Sequence, residues 1–316
     1  MRELVRACLA PSFPGTDVPD WIRRFLAEGG GAIMLFSYNV RDRAQLTRLT
    51  SELQSERGDV LLAIDEEGGD VTRIDAGEGG STPGNAALGH VDDLALTEAV
   101  ARAIGLELAA VGVNWNLAPV ADVNVPANPV IGVRSFGDDP ELVARHVGAY
   151  VRGMQSEGVA ACAKHFPGHG STEQDSHLEL PTLVGDVEAG LEPFRSAIAA
   201  GVASIMTAHI RVPGYGDDPA TVNPALISLL REELGFDGVV MADALEMKGL
   251  SDSVGVEEGA VRALAAGCDS LCIGHDLHEE AVAAIEEAVL DALRSGRLAE
   301  ERVAEAAGRV GRVSRT

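Results

Sequence analysis

The densest set of residues that could carry chemistry lies between positions 164 and 177. This stretch reads Lys164-His165-Phe166-Pro167-Gly168-His169-Gly170 and then, after four intervening residues, Asp175-Ser176-His177. In a turn, Asp175 can accept a hydrogen bond from one ring nitrogen of His177, which fixes the tautomer and leaves the other nitrogen for proton transfer. A turn without chemistry is the alternative interpretation of this tripeptide, so its role depends on what surrounds it.

Asp243 is the second group that could act directly on a substrate. It follows an apolar run at 239–242 and precedes a small residue, Ala244. If the run is a strand of a parallel barrel, a carboxylate at its carboxyl end points out of the barrel mouth, where reactive groups of such enzymes lie. The alternative is a structural helix N-cap, since aspartate is a favoured cap. The polar residues that follow other apolar runs favour the catalytic interpretation.

Several other apolar runs also end in polar or charged residues. These residues are Asp65, Glu66 and Glu67; Asp122 and Asn124, with Arg134 further on; and Thr207 and His209. So many ionisable groups cannot be desolvated together unless they pair or bind something polar. Lys164 and Arg134 could pair with neighbouring carboxylates or, with Asp65, form a ring of groups that hydrogen-bond sugar hydroxyls. Because Glu66 and Glu67 are adjacent, we expect at most one of them to face the pocket.

The histidines also need to be weighed as metal ligands. The candidate ligands are His165, His169, His177 and Asp175. No HExxH pattern is present, and no cysteines have zinc-site spacing. The glycines and proline of this stretch favour a constrained loop instead. We therefore expect no metal and no organic cofactor.

Alternating apolar and amphipathic segments must position these residues. The strand-like runs are 4–9, 32–36, 60–64, 113–116, 160–163, 204–207, 239–242 and 270–273, and the helical segments are 44–56, 94–110, 140–157, 187–200, 224–234, 256–266 and 279–295. Apolar strands separated by helices predict a parallel sheet that is buried on both faces. Eight units predict one α/β domain over residues 1–316, a (β/α)8 TIM-type barrel. An open doubly wound sheet would normally carry a glycine fingerprint after its first strand, and residues 14–16 do not form one.

Composition narrows the possible partners. The formal net charge is −24, which disfavours binding to nucleic acids and to anionic membrane surfaces. The first residues show no basic segment followed by an apolar core, and no apolar run reaches transmembrane length. We therefore expect a cytoplasmic protein with a small-molecule substrate.

The motifs resemble those of glycoside hydrolase family 3, in its β-N-acetylglucosaminidase branch, which is known for bacterial cell-wall recycling. The resemblance is carried by the Lys164–Gly170 run and the Asp175-Ser176-His177 tripeptide, and segments 31–39, 64–69, 117–123, 134–137, 206–210 and 241–247 fit the family in the same order. It therefore covers nearly the whole chain.

The resemblance implies a retaining double displacement on a terminal β-linked N-acetylglucosamine of a peptidoglycan or chitin fragment. Asp243 matches the nucleophile that forms a covalent glycosyl-enzyme. His177 matches the general acid/base, with Asp175 as its partner on a mobile loop. The positions that hold the hydroxyls of the terminal sugar are matched by Asp65, Arg134, Lys164 and His165. No metal or organic cofactor is implied.

Three alternatives remain open. One is a β-glucosidase-type exo-glycosidase, and one is a sugar-binding protein without catalysis. The third is phosphorolysis, because a neutral imidazole repels phosphate less than a second carboxylate would.

The chain departs from the family pattern at Asp70, where a basic residue is usual, although Arg73 matches a later basic position. It stops at Thr316, and we expect no second domain of the kind seen in many β-glucosidases of the family.

Overall fold

The computed structural model describes residues 1–77, 79–274 and 278–313, and its eight parallel strands form a nearly closed barrel. The strands are β1 (Leu9–Pro11), β2 (Ala32–Leu35), β3 (Leu61–Ile64), β4 (Trp115–Asn116), β5 (Ala160–Phe166), β6 (Ser204–Thr207), β7 (Val239–Ala242) and β8 (Ser270–Ile273). Each strand pairs in parallel with the next from β2 to β8, and β8 pairs with β1. β1 and β2 lie against each other at the remaining seam. The predicted (β/α)8 fold is confirmed.

Helices surround the barrel. They are α1 (Arg2–Ala7), α2 (Asp20–Ala27), α3 (Arg43–Glu56), α4 (Asn85–Val91), α5 (Leu94–Ala110), α6 (Pro140–Gln155), α7 (Val187–Ala199), α8 (Pro224–Ser228), α9 (Lys248–Val254), α10 (Val256–Ala266), α11 (Glu279–Arg294) and α12 (Glu300–Val313). All strand residues are buried, as expected for strands covered on both faces. Within the described ranges, no helix is both long enough and apolar enough to cross a lipid bilayer.

Two apolar layers hold the barrel. The outer layer packs the strands against the helices, and the inner layer fills the barrel with side chains such as Met34, Trp115 and Met241. The Trp115 Nε1–H donates a 2.8 Å hydrogen bond to Ser204 Oγ inside the barrel. Val310 of α12 joins the inner layer, so α12 packs across the end where the strands begin. The polar residues after the strands collect at the opposite end.

The first predicted strand is wrong in most of its length. Residues 4–9 were expected to be extended, but Arg2–Ala7 form α1 and β1 begins only at Leu9. Val5 is buried, whereas Arg2 and Arg6 reach Glu286 on α11. A short apolar run does not distinguish this helical arrangement from a strand.

Other boundaries differ by a few residues. β5 continues three residues beyond 163 to Phe166, and the predicted 224–234 helix is α-helical only to Ser228, with a π-helical turn over Leu229–Glu233. The pairing of β5 with β6 skips His165, since Lys164 pairs with Met206 and Phe166 with Thr207. Such a bulge redirects a side chain, and this one lies at the mouth of the barrel.

Candidate active site

A cavity of about 790 Å³ opens where the strands end. Six of the seven predicted site residues line it, namely Asp65, Arg134, Lys164, His165, His177 and Asp243. The seventh, Asp175, contacts His177 without lining the cavity. Asp65 and Asp243 each come directly after a strand, while Lys164 and His165 belong to the last part of β5. The chain order of the strands therefore brings distant residues into one pocket.

Five charged groups form an alternating chain along the pocket. Lys164 Nζ lies 2.7 Å from Asp65 Oδ1 and 2.7 Å from Glu67 Oε1. Arg134 continues the chain through two hydrogen bonds to the Glu67 carboxylate, at 2.7 and 3.0 Å. At the other end, Arg73 Nη2 donates to Asp65 at 3.2 Å. Each buried charge is thus paired, which a low-dielectric site requires.

These cations keep the two carboxylates ionised. Burial alone would raise the pKa of Asp65, but Lys164 and Arg73 hold it well below its usual range. Burial would likewise raise the pKa of Glu67, but Lys164 and Arg134 lower it to about 2. Neither group is suited to donate a proton near neutral pH. Both can instead accept hydrogen bonds from a polar ligand.

Only one of the two adjacent glutamates faces the pocket, as expected. Glu67 lines it, whereas the Glu66 carboxylate accepts backbone N–H groups of Arg73 and Ile74 at 2.8 and 3.2 Å. Glu66 therefore holds the loop that follows β3. Asp70 on the same loop is exposed and lines a separate shallow hollow. The departure at Asp70 consequently lies outside the lining of the main pocket.

His165 is fixed by a fully buried partner, Asp122. The Asp122 Oδ2 accepts the His165 Nδ1–H at 2.7 Å and the His165 backbone N–H at 3.2 Å. Its Oδ1 accepts the Gly170 N–H at 3.2 Å. Because Nδ1 donates to the carboxylate, Nε2 is the ring nitrogen left for the pocket. The sequence placed Asp122 at a strand end but gave no indication of this partner.

Asp243 lies at the end of β7 and lines the pocket. The Ala244 N–H donates to its Oδ1 at 2.8 Å. Burial would raise the pKa of Asp243, but nearby His165, His209 and the Ala244 N–H keep it lowered. His209 also donates from Nε2 to the Ala244 carbonyl at 2.9 Å, which supports the backbone beside the carboxylate. The next helix, α9, begins only at Lys248, so Asp243 is not an N-cap.

His177 and Asp175 form a second Asp–His pair on the loop between β5 and α7. Asp175 Oδ1 accepts the His177 Nδ1–H at 2.7 Å and the His177 backbone N–H at 2.8 Å. The Asp175 carbonyl accepts the backbone N–H groups of Leu178 and Glu179 at 2.9 and 3.1 Å, which closes a tight turn. The His177 side chain is 59% exposed and lines the pocket. Its Nε2 is therefore available for proton transfer to a bound molecule.

A buried histidine connects this loop to β5. His169 Nε2 lies 2.7 Å from Ser176 Oγ, and its Nδ1 lies 3.0 Å from Thr172 Oγ1. Ser176 stands between Asp175 and His177, and its carbonyl accepts the Gly249 N–H at 2.9 Å. The sequence identified Ser176 only as part of a motif, and His169 as part of a motif and as a candidate metal ligand. The structure gives them a contact that orients the Asp175–His177 turn.

Over residues 1–77, 79–274 and 278–313, no group of three or more His, Cys, Asp or Glu side chains is arranged to hold a metal ion. The arrangement instead combines one ionised carboxylate, Asp243, with one accessible imidazole, His177. The alternating chain of paired charges completes the lining of the pocket. Such a pocket can bind a polar, uncharged molecule and perform nucleophilic and proton-transfer chemistry on it.

A parallel barrel with a polar pocket at the carboxyl ends of its strands places the protein among (β/α)8 barrel proteins, and solved structures agree in detail. A glycoside hydrolase family 3 β-N-acetylglucosaminidase from Paenibacillus sp. str. FPU-7 superposes with a TM-score of 0.95 at 42% identity, covering 100% of this chain and 62% of that one. The β-N-acetylhexosaminidase from Beutenbergia cavernae DSM 12333 gives a TM-score of 0.90 at 28% identity, covering 100% of this chain and 98% of that one.

Sequence comparison gives the family. Residues 19–313 match the glycosyl hydrolase family 3 N terminal domain, and the chain belongs to this family. The β-hexosaminidase of Thiobacillus denitrificans is 38% identical over 287 residues, which cover 86% of this chain and 80% of that protein. β-Hexosaminidase A of Pseudoalteromonas piscicida is 36% identical over 317 residues, with 90% of this chain covered. This chain spans about half the length of that second relative, 53%.

Proposed function

We propose that this protein is a retaining exo-β-N-acetylglucosaminidase, which releases terminal β-linked N-acetylglucosamine from peptidoglycan- or chitin-derived fragments. The observation that carries the proposal is that two groups suited to this chemistry line the same pocket. Asp243 is an ionised carboxylate at a strand end, and His177 is an exposed imidazole oriented by Asp175. Family membership and the names of the relatives point to the same class of reaction.

In the first step of the proposed reaction, Asp243 attacks the anomeric carbon. The bond from that carbon to the leaving-group oxygen breaks, and His177 gives its proton to this oxygen. The sugar is then joined to Asp243 as an ester. In the second step His177 takes a proton from water, whose oxygen displaces Asp243 and restores both groups. Two displacements retain the β configuration, as in the two-carboxylate scheme, but here an imidazole replaces the acid/base carboxylate.

The alternating charge chain is the proposed binding site of the terminal sugar. Asp65, Lys164 and Arg134 are already neutralised by one another and by Glu67, so they can bind hydroxyls without leaving a buried charge unpaired. His165 adds its Nε2, which is oriented by Asp122. These groups offer donors and acceptors in fixed directions, as a neutral sugar requires.

The test of the nucleophile is the variant Asp243→Ala, assayed with an aryl N-acetyl-β-glucosaminide. We expect turnover to fall by about 10³-fold or more, because the covalent route is lost. Asp252→Ala is the matched control, since Asp252 is exposed on α9 and does not line the pocket. Wild-type rates in Asp243→Ala would contradict the assignment. A panel of aryl glycosides then separates this activity from that of a β-glucosidase.

The covalent and stereochemical parts need their own measurement. His177→Ala with an activated aryl substrate should accumulate a glycosyl-enzyme, because water lacks its general base. Mass spectrometry should find one N-acetylglucosaminyl group on the peptide that contains Asp243. NMR of the wild-type reaction should show the β anomer first. An α anomer as first product would contradict a retaining mechanism.

Phosphorolysis is a second candidate, favoured by the use of an imidazole as proton donor. Asp65 and Glu67 are neutralised by cations, so within the charge chain no bare carboxylate opposes an incoming phosphate. Product analysis with and without phosphate decides between the two. Hydrolysis gives N-acetylglucosamine in both cases, whereas phosphorolysis gives N-acetylglucosamine 1-phosphate only when phosphate is present.

A further inference from the structure

Nearly every cation of this acidic protein is bound to a carboxylate. Throughout the part of the chain that the structure describes, each arginine and lysine except Arg48 and Lys248 makes a salt bridge to Asp or Glu. Arg48 lies on the exposed side of α3, away from the pocket. Lys248, in contrast, lines the pocket. Among the described residues, a cation without a carboxylate partner at the pocket therefore departs from the arrangement of nearly all other positive charges.

Both lysines of the chain are pocket residues. Lysine occurs only at positions 164 and 248, and both side chains line the same cavity. Lys164 is buried and is shared between Asp65 and Glu67. Lys248 is exposed at the rim, and no hydrogen bond or ion pair of its ammonium group is found with residues 1–77, 79–274 or 278–313. The inner lysine is therefore neutralised by the protein, whereas the outer one presents its charge to solvent and to whatever enters.

The backbone places Lys248 beside the loop that carries His177. Gly249, its neighbour on α9, donates its N–H to the Ser176 carbonyl at 2.9 Å. Ser176 precedes His177, so Lys248 stands beside the loop of the proposed proton donor. A general acid must reach the oxygen of the leaving group, and the loop therefore belongs to the aglycone side. The buried charge chain belongs to the inner part of the pocket, where the terminal sugar would be held.

We propose that Lys248 is a specificity residue that binds a carboxylate on the leaving group. This inference rests on the function proposed above. N-acetylglucosamine itself carries no charge, so an unpaired ammonium has no ionic partner in the terminal sugar. An aglycone with a carboxylate close to the scissile bond supplies one. The carboxylates nearest along the chain are Glu246, Asp252 and Asp243. Among the described residues no ion pair joins Asp252 to Lys248, and the other two carboxylates already have partners, since Asp243 accepts the Ala244 N–H and Glu246 accepts the Gly274 N–H at 3.1 Å.

Two disaccharides that differ in one group provide the test. N-acetylglucosaminyl-β-1,4-N-acetylmuramic acid carries a lactyl carboxylate on its second sugar, and N,N′-diacetylchitobiose has a hydroxyl there. The readout is the ratio of kcat/KM for the acidic substrate to kcat/KM for the neutral one. An exposed ion pair adds roughly 1 kcal/mol at most, so Lys248→Met should lower the ratio by about 3- to 5-fold. Lys248→Arg should keep most of the ratio, because the charge remains.

Arg48→Met is the matched control, since it removes the other cation that has no carboxylate partner among the described residues and changes net charge equally. The proposal requires the ratio to fall in Lys248→Met and not in Arg48→Met, and requires added salt to reduce the wild-type ratio. An equal fall in both variants would assign the effect to net charge and would overturn the proposal. An unchanged ratio in Lys248→Met would overturn it as well. Turnover of both disaccharides with a ratio insensitive to Lys248 leaves the proposed function standing and rejects this inference. Turnover of neither rejects both.

Discussion

The pocket contains two Asp–His pairs with the same bond and opposite surroundings. In Asp122–His165 and in Asp175–His177, the ring Nδ1 lies 2.7 Å from a carboxylate oxygen. Asp122 is fully buried and His165 is 7% exposed, whereas the Asp175 and His177 side chains are 30% and 59% exposed. The same pair of residue types therefore serves in two environments. Their sequence separation also differs, because the first two partners are 43 positions apart and the second two are two positions apart.

The difference in environment is consistent with the proposed division between sugar binding and proton transfer. The buried pair is held by two backbone N–H groups as well as the ring, so His165 presents one ring nitrogen in a fixed direction. The exposed pair lies on a turn at the pocket mouth, where His177 can give a proton to a leaving group and later take one from water, as the proposed reaction requires. Rigid burial suits a hydrogen-bonding partner of a sugar. Access to water suits an acid that must later act as a base.

Leaving-group chemistry gives the largest expected contrast between the pairs. His177→Ala should lower kcat/KM for a disaccharide by about 10²- to 10⁴-fold and much less for an activated aryl glycoside, which needs little protonation. His165→Ala should lower both by similar factors, because it removes sugar binding that both substrates use. Steady-state kinetics with the two substrates checks this. Equal sensitivity to leaving group in the two variants would remove the distinction.

Stability gives the next contrast, in the opposite direction. Asp122→Ala leaves three donors without their buried acceptor, so we expect a loss of about 3 kcal/mol in the free energy of unfolding. Asp175→Ala breaks an exposed pair and should cost about 1 kcal/mol or less. Urea unfolding of the two variants measures both values. A larger loss in Asp175→Ala would mean that the exposed turn, and not the buried pair, supports the barrel mouth.

This contrast also shows what the sequence could predict. The Asp175–His177 pair could be predicted from spacing because its partners are only two positions apart on the chain. Asp122 was recognised only as a polar residue after a strand, since its partner is 43 residues away and nothing local specifies the register of β4 against β5. In the same way, the barrel followed from alternating apolar segments, but the helical start of α1 did not. The position of Lys248 beside Ser176 depends on how α9 packs, which no spacing reveals.

Orientation of the exposed pair should depend on the contact between His169 and Ser176. Ser176→Ala removes the 2.7 Å contact to His169 Nε2 and should lower kcat for a disaccharide by about 5- to 10-fold, the equivalent of roughly one hydrogen bond. The loss should be smaller with an activated aryl substrate and should disappear when His177 is already alanine. Ser171→Ala is the control, because this serine precedes the same loop and does not line the pocket. A loss that persists in the His177→Ala background would indicate a general structural role.

The smallest expected effect is in the pH dependence of stability. Burial would raise the pKa of Asp122, but the His165 charge and hydrogen bond hold it lowered in the folded protein. A depressed carboxyl contributes stability that is fully present above its unfolded pKa of about 3.9 and is lost as pH falls through the folded value. The difference in unfolding free energy between wild type and Asp122→Asn should therefore be constant near neutrality and shrink below about pH 4.

The pKa of Asp175 is also lowered. Its partial burial would raise the pKa, but the His177 backbone N–H and ring lower it. Since that pair is exposed and screened, Asp175→Asn should show the same sign with a smaller slope in urea titrations at several pH values. A steeper slope for Asp175→Asn would reverse the order of the two pairs.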